Sequence, residues 1–566
     1  MQDLVLSLRS SLAEESSTEE ETLRLYSNAA CIYEVRPRAV VWPRDTGDVE
    51  LLLGVCRQSG VPLTARGAGS GVAGHALGTG VIADFSRHMN RVLEINAGEN
   101  WVRVQPGVVL GALNETLKAH GKHFSPDPSS GAFCTIGGMI ANNAGGPHSV
   151  RYGSTREHVL SLTAITGSGA ALVTKPVPRG RLAAARGTPR GAGAAPAAVG
   201  REPAGAASAP SAGGTDENER LAGGLLQILD GREELLERYS MRTSRNSSGY
   251  DLRAATEGEV VDLGRLLAGS EGTLALVTEA KLRLRDLPAA RGTALLLFDD
   301  LMKAGEAIRD ALADEPSCIE LMSQPLLRMV RAQNAAVASI VPESTRALVI
   351  LECDGDNAAE AAGRLERVRQ RVVARRPLAS SFAAVTDAGQ RAEIWKVRSA
   401  AALILAAQGG GQRSVRFIED ACVPPLRLVE FLESVMALMD REGLVAAIFG
   451  HAGDSLVHVN PLMDPNDPSL RERMEAIASE FTDLVIRFDG TLTGEHGDGR
   501  LRTPFLPRRF GPVYPLFEEV KRLFDPSGIL NPGIIVGAGS YRMTDNLRTG
   551  PSPWRPPAEI YSRQPE

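Results

Sequence analysis

Three of the nine histidines fall in two short glycine-rich stretches: Gly450-His451-Ala452-Gly453-Asp454-Ser455-Leu456-Val457-His458-Val459-Asn460, and Gly494-Glu495-His496-Gly497-Asp498-Gly499-Arg500. Residues 456–460 alternate as a strand does, so His458 and Asn460 share a face, and the turn before them can bring His451 round to the same side. Two imidazoles and a carboxylate suit Zn²⁺ or another first-row divalent ion with one position left open. An imidazole also titrates near neutral pH and can accept a proton. Any one of these histidines alone is more often a satisfied core or surface residue. The combination of His-x6-His with a separate Gly-Glu-His-Gly-Asp-Gly is rarer than any single potential ligand.

Three further stretches are built to let backbone approach a ligand. Arg66-Gly67-Ala68-Gly69-Ser70-Gly71-Val72-Ala73-Gly74-His75 follows a strand-like segment, and successive glycines can turn their N–H groups inward as a nest for a pyrophosphate. It is neither G-x-G-x-x-G opening a helix nor a G-K-[ST] loop. Residues 126–150 hold Pro126, Asp127, Cys134, Thr135, Gly137, Gly138, Asn142, Ala144, Gly145 and Gly146, then Tyr152 just beyond; their small side chains leave room for a flat ring system. Gly269-Ser270-Glu271-Gly272-Thr273 precedes a strand-like run. One such loop is commonly a plain turn, but three in one region point to a binding site on a rigid scaffold.

The elements that must carry these motifs follow from hydrophobic period. Helical spacing covers 49–59 and 110–119, each closed by a glycine, and 221–239 reads as one helix. Short apolar runs at 62–65, 81–84, 92–95 and 101–104, and the alternating run 274–284, read as strands. From Gly292 the segments TALLLF, ALVILEC, VRFIED, VAAIFG and LVHVN are expected strands of a second, antiparallel α+β domain separated by charged helices. Residues 1–30 read as peripheral polar helices, 524–536 as a run of turns, and the last 25 or so residues as a proline-rich tail. The stretch 175–214, dominated by Ala, Gly, Pro and Arg without any period, is expected to be a disordered insertion.

Length and composition bound the function. A chain of 566 residues with 43% hydrophobic and 23% charged residues is a globular protein of two or three domains. A net charge of -6 argues against nucleic acid as a partner. The six cysteines form no C-x-x-C pair, which argues against a disulfide framework, a zinc ribbon or an iron–sulfur cluster held by this chain. The N-terminus has no signal-peptide pattern and no apolar run is long enough to span a bilayer, so the cytoplasm is the expected location.

The opening PRAVVWPRDTGDV, the RGAGSGVAG loop, the CTIGGMIANNAGG block and SEGTLALVTEAKLRL together resemble FAD-binding domains of the vanillyl-alcohol-oxidase superfamily. The branch they resemble is that of FAD-linked D-2-hydroxy-acid dehydrogenases acting on D-lactate, D-2-hydroxyglutarate or glycolate. The resemblance implies an α+β fold with a two-part FAD-binding domain over 33–290 after a lead-in at 1–32. It also implies a substrate (cap) domain at 291–495, a closing segment at 496–540 and a tail at 541–566. It implies that Arg66, Gly67, Ala68, Gly69, Ser70, Gly71 and Gly74 lie at the FAD pyrophosphate. The counterparts of Pro126, Asp127, Thr135, Gly137, Gly138, Asn142, Ala144, Gly145, Gly146, Tyr152, Glu271, Gly272 and Asn531 lie along the rest of the cofactor. Histidine-linked relatives carry the histidine where this chain has Ser70, and the context of Cys134 resembles the non-covalent branch, so FAD is expected to be held non-covalently. The positions matching His451, His458 and Glu495 bind zinc in metal-dependent members, that matching His496 is the catalytic base, and that matching Arg398 clamps the substrate carboxylate. A Thr and a Lys of the hydroxyglutarate branch stand here as Ala402 and Ile418, which weakens the case for a second carboxylate; Arg413 or Arg416 could substitute.

The implied partners are a small 2-hydroxy acid and an iron–sulfur subunit or quinone-linked acceptor, with the chain at the inner face of a membrane through that partner, and a homodimer is a further expectation. Two rival readings stay open. A flavin-dependent synthase forming C–O bonds would need a site for a long acyl chain. A metal hydrolase or a nucleotide-binding module would explain the histidines or the glycine loops, not both.

Overall fold

Asp45 accepts the backbone N–H of Asp48 and so starts the helix Thr46–Ser59, which stops where Gly60 turns left-handed at φ 61°. Its buried face, Val49, Leu52, Leu53 and Cys56, packs on a four-stranded sheet ordered Ser16–Ser17, Ala39–Val41, Val81–Asp84, Leu63–Arg66. The last three strands are parallel, so each needs a crossover, and the helix is one of these. The computed structural model describes residue 12 and residues 15–186, 216–385, 389–395, 398 and 411–548.

A second sheet of five antiparallel strands, ordered Val92–Asn96, Trp101–Val104, Ala275–Arg283, Val159–Thr166, Ala171–Val173, completes the first half of the molecule. The second half is built on an antiparallel sheet running Ser381–Val385, Ala290–Phe298, Ala347–Gly355, Cys318–Ser323, Ala446–His451, Leu456–Met463, Arg413–Ser414, with Ala421–Cys422 also paired to Leu456–Met463. Both faces of this sheet are covered. Ala294, Leu296 and Phe298 share a core with the helices Leu301–Ala311 and Leu428–Arg441, while Leu295 joins Leu326, Leu327 and Val330 of the helix Gln324–Gln333 on the other side. Burial on both faces is why TALLLF is uninterruptedly apolar.

The differences from the sequence reading have local causes. The helix expected over 221–239 is two, Glu217–Leu229 and Glu233–Tyr239, because Gly231 adopts φ 68° between them. VRFIED is not a strand. Asp420 is left-handed at φ 84° and ends any ladder there. The strand Cys318–Ser323 is missing from the sequence reading, its two polar side chains, Glu320 and Ser323, being fully buried. The lead-in is not merely peripheral, since Ser16–Ser17 pairs with Val40 and Val41. Within the expected insertion, Val177–Pro178 is a strand paired with Val260–Val261 and Arg179–Arg186 is a helix; 187–215 lie outside the described residues. The tail is likewise docked in part. The Tyr33 hydroxyl donates to the Met543 carbonyl and Tyr33 bridges to Leu547, while 549–566 lie outside the described residues.

A buried ionic cluster joins the two halves. His148, from the 126–150 segment, places Nδ1 2.6 Å from Asp127 and Nε2 3.0 Å from Glu352 on the strand Ala347–Gly355, and stacks on Trp395. Trp395 donates its indole N–H to Glu352 at 2.9 Å, Tyr152 donates to Asp354, and Arg291 pairs with both acids. Burial alone would push the His148 imidazole down, and Arg291 acts the same way, but Asp127 and Glu352 outweigh them and hold it up to about 9. A histidine raised on folding stabilises fully below its unfolded value near 6.5 and loses that contribution as the pH rises through about 9. The stake is roughly 3 kcal/mol. The melting temperature should therefore fall between pH 6.5 and 9, and His148→Gln should melt lower at pH 6 with that fall flattened. An equally steep fall in the variant would remove His148 as its source.

Candidate active site

A single cavity of about 840 Å³ is walled by all three glycine-rich loops and by the histidine end of the second sheet. Close packing of loop on loop explains the glycines. A Cβ on Gly67 would sit 2.0 Å from the Thr135 hydroxyl, so the first loop can lie against the second only without a side chain there. Thr135 caps the helix Ile136–Asn142, accepting from Gly138 N at 3.4 Å. The loops are then tied to one another by two residues. The Asn531 amide donates to the carbonyls of His75 and Glu271, at 3.0 and 2.8 Å. Glu271, left-handed at φ 52°, accepts the backbone N–H groups of Asp498 and Gly499 at 2.7 and 2.9 Å. The glycine-rich loops are thus joined directly to the Gly-Glu-His-Gly-Asp-Gly turn.

That turn is mounted from below by the residue that breaks VRFIED. Asp420 accepts from the Thr493 hydroxyl and from His496 N and Glu495 N at 2.9 and 3.2 Å, while Gly494 N donates to its carbonyl. Three imidazoles now converge: Nε2 of His451, His458 and His496 lie 2.9, 3.4 and 3.7 Å from the one oxygen Glu495 Oε1. The other oxygen, Oε2, accepts from Arg245 Nη2 at 2.9 Å. Each ring has a carboxylate behind it. His451 Nδ1 is 2.5 Å from Glu320, while His458 and His496 place Nδ1 3.4 and 2.7 Å from Glu419. Burial would raise Glu495, but His451 and Arg245 hold it well below the usual carboxylate range. Burial would lower His496, yet Asp420 and Glu419 hold it up to about 9.

Most of the residues singled out in sequence meet in this cavity. Arg66, Gly67, Ala68, Gly69, Ser70 and Gly71 line one part, and Thr135, Gly137, Gly138, Asn142, Ala144 and Gly145 another, with Glu271 and Gly272 between. Asn142 Oδ1 is buried without a hydrogen-bond partner, as a ligand site would leave it. Arg398, His458, Glu495 and His496 line the opposite end. Seven others stand behind the lining. Asp127 and Tyr152 are spent on the interdomain cluster, Gly74 packs on Tyr33, Gly146 lies against the Asp127 backbone, and Pro126 is buried beside them. Asn531 ties the loops, and His451 has its ring between Glu320 and Glu495. Arg66 lines the cavity with its backbone side, for its guanidinium donates to the Tyr26 and Asn28 carbonyls.

The grouping of potential ligands also differs from the expected trio of His451, His458 and Glu495. Ligand atoms of Asp420, His458, Glu495 and His496 lie within 4.8 Å of one another, with His451 behind Glu495. Glu320, Arg245, Glu419 and Asp420 were missed in sequence. The only signal for the three acids was a charged residue inside an otherwise apolar run, as in CIELMS and RFIED, and Arg245, in the polar stretch 241–248, had none. Ala402 lies outside the described residues, and Ile418 is a core residue turned away from the cavity.

Residues 37–175 match the family described as FAD binding domain, and residues 287–535 match FAD linked oxidases, C-terminal domain. A D-2-hydroxyglutarate dehydrogenase of Pantoea ananatis is 34% identical, covering 89% of this chain and 48% of that protein, so the chain spans about half the length of such relatives. A glycolate oxidase subunit GlcD of Bacillus subtilis is 26% identical, covering 88% of this chain and 89% of that one. The solved structure of p-cresol methylhydroxylase with substrate bound superposes with a TM-score of 0.65 at 13% identity, over 94% of this chain and 96% of that chain, a likeness of fold. The chain belongs to the FAD linked oxidases, with an FAD binding domain followed by the C-terminal domain of that family.

Proposed function

We propose that this chain is an FAD-dependent oxidoreductase acting on a CH–OH donor, and that it oxidises a small D-2-hydroxy acid of the lactate, glycolate or 2-hydroxyglutarate class to the 2-oxo acid. The observation that carries the reading is the convergence of three imidazoles on Glu495 in the same cavity as the FAD loops, with Arg398 at that end. The printed activities of the dehydrogenase and oxidase relatives support it.

Oxidising a 2-hydroxy acid removes a proton from oxygen and a hydride from the adjacent carbon. FAD, when bound along the glycine loops, supplies the hydride acceptor. His496 lines the cavity with its Nδ1 2.7 Å from Glu419, and once neutral, as positive charge beside it would favour, its Nε2 can take the hydroxyl proton. Arg398 donates Nε to Glu320, and its Nη2 is buried without a partner, a donor ready for the substrate carboxylate. Asn460 offers a second such donor in its Nδ2, on the same strand as His458.

His451, His458 and Glu495 have a donor set that fits a divalent ion, Zn²⁺ by its two nitrogens and one oxygen, and the Glu320 carboxylate behind His451 is the arrangement usual behind a metal-bound imidazole. Such an ion supplies positive charge for the substrate oxygens and lowers the pKa of groups beside it. FAD is held non-covalently in this reading. Ser70 stands in the first loop, and burial pushes the Cys134 thiol up to about 12, leaving it unreactive. Electrons leave to an iron–sulfur subunit or a quinone-linked acceptor, a reading supported by the relative described as an oxidase subunit. Among the described residues no helix is long and apolar enough to cross a membrane.

Purified protein should show flavin absorbance that bleaches anaerobically with D-lactate, glycolate or D-2-hydroxyglutarate. His496→Ala should keep the flavin and slow bleaching by about 10²–10⁴-fold; unchanged reduction would take His496 out of the reaction. Acid precipitation should release the yellow chromophore to the supernatant, and colour left in the pellet would refute non-covalent binding. Dialysis against a chelator should lower the rate at least tenfold with flavin retained, and added Zn²⁺ or Mn²⁺ should restore it. Full activity in metal-free protein verified by elemental analysis would dismiss the ion.

A further inference from the structure

We propose that Trp395 is a positioning residue for Arg398: held by Glu352 and stacked on His148 of the FAD-binding half, it fixes the helical turn that carries the donor for the substrate carboxylate. The proposal rests on the hydroxy-acid reading above, in which Arg398 meets that carboxylate, and adds the device that places it.

Residues 389–395 and 398 are helical. Arg391, Trp395 and Arg398 fall at i, i+4 and i+7, the spacing of one helix face, while Ala392 and Glu393 between them are exposed. The inner face meets the sheet of the second half. There Glu352 stands opposite Cys318 and Glu320 opposite Ile350, so the two acids share one face of the sheet as a diagonal pair on neighbouring strands. Each takes one residue of the helical segment. Trp395 donates its indole N–H to Glu352 at 2.9 Å, and Arg398 donates Nε to Glu320 at 2.5 Å. One turn earlier, Arg391 donates to the Arg291 carbonyl at 2.9 Å. Ile394 and Trp395 also pack on an apolar cluster that includes Leu295, Ile350 and Phe449.

An arginine side chain has many freely turning bonds, so its guanidinium is placed only when its backbone and its head are both held. The head of Arg398 is held by Glu320 at Nε and by the Phe449 ring, 4.9 Å from Cζ, which leaves Nη2 buried and unpartnered. The backbone is held one turn away, at Trp395. Its ring lies against His148 with centroids 5.8 Å apart and planes inclined by 30°. His148 is itself fixed by Asp127 at 2.6 Å and reaches Glu352 at 3.0 Å. The segment bearing His148 also carries Gly145, which lines the cavity. Trp395 does not line the cavity, whereas Arg398 and Phe449 do, so it meets the substrate only through Arg398. The carboxylate donor is thus placed from across the interface between the two halves, and not by its own sheet alone.

The test uses the flavin-loaded enzyme and whichever of D-lactate, glycolate and D-2-hydroxyglutarate bleaches the native flavin fastest. Trp395→Phe keeps a ring on His148 and removes the indole N–H, while Trp395→Leu removes both. Trp395→Leu should raise KM about tenfold or more with kcat within about threefold, because a contact made to ground and transition states alike acts on KM. Trp395→Phe should fall between it and the native chain, and both variants should keep their flavin. Binding of the 2-oxo acid product, followed by its perturbation of the flavin spectrum, should weaken in step with KM. The deciding arm is the double variant with Arg398→Met. In that background Trp395→Leu should change kcat/KM less than about twofold, because the residue through which it acts is gone. A merely structural loss would multiply with that of the arginine variant, and this result, or an unchanged KM in Trp395→Leu, overturns the proposal while the hydroxy-acid reading stands. Should Trp395→Leu lose its flavin, Trp395→Phe carries the same cycle with the same two outcomes. If none of the three acids bleaches the native flavin, the hydroxy-acid reading falls and the proposal with it.

Discussion

Glu320 has no solvent exposure, and its two oxygens are taken by Arg398 on one side and His451 on the other. A lone buried carboxylate would cost several kcal/mol, so this strand of the cap sheet can be buried only if the arginine and the histidine arrive with it. Burial would raise its pKa, but Arg398 and His451 more than offset that and hold it ionised. The same rule runs outward. His451 faces Glu495, Glu495 holds Arg245 from the FAD-binding half, and Glu419 joins His496 to Arg502. Opposite charges alternate through the site, so its side chains are positioned by mutual need rather than by the loops they sit on. The result is a set of imidazole nitrogens aimed at one oxygen before any ligand is present.

The glycine-loop end of the cavity is organised by a different principle. Here small side chains and backbone do the positioning, and charge is nearly absent from the ligand-facing wall. Gly145 shows where the two regimes meet. A Cβ there would lie 1.3 Å from Arg245 Nη2, so the loop is glycine because the guanidinium that fixes Glu495 fills the space a side chain would need. Glu271 joins the regimes a second time, a carboxylate in a glycine-rich loop that accepts backbone N–H groups from the histidine turn. Two halves that fold on separate sheets therefore share one cavity with a fixed geometry.

Residue spacing made much of this legible. His458, Asn460, Glu495 and His496 are at the cavity because an alternating strand and a glycine turn have few ways to present them, and the three glycine loops met because each was too poor in side chains to form a core. What escaped was long-range pairing. Asp127 and Tyr152 sit in a stretch that otherwise lines the cavity, yet Asp127 pairs with His148 of its own segment and Tyr152 donates to Asp354 across the interdomain surface. Nothing local distinguishes a carboxylate that meets a cofactor from one that meets a histidine of the same segment. Glu320 was hidden for the converse reason: an acid in the apolar run CIELMS is improbable until its two partners, 78 and 131 residues away, are known. VRFIED was misread because Asp420 acts through its backbone and side chain together, capping the turn that an extended strand would have left unsupported.

This division between the two ends bears on which parts of the cavity wall can vary. Changing a glycine-rich loop would disturb close backbone contacts, and changing Glu320 or Glu495 would strand a buried charge. Arg413 and Arg416 carry neither constraint to the same degree, since they sit where a short edge strand meets the cavity and one of them is exposed. Edge positions of that kind can exchange side chains without refolding the sheet. The charge at that edge of the cavity is thus physically separable from the buried ionic network, which holds the histidine turn fixed.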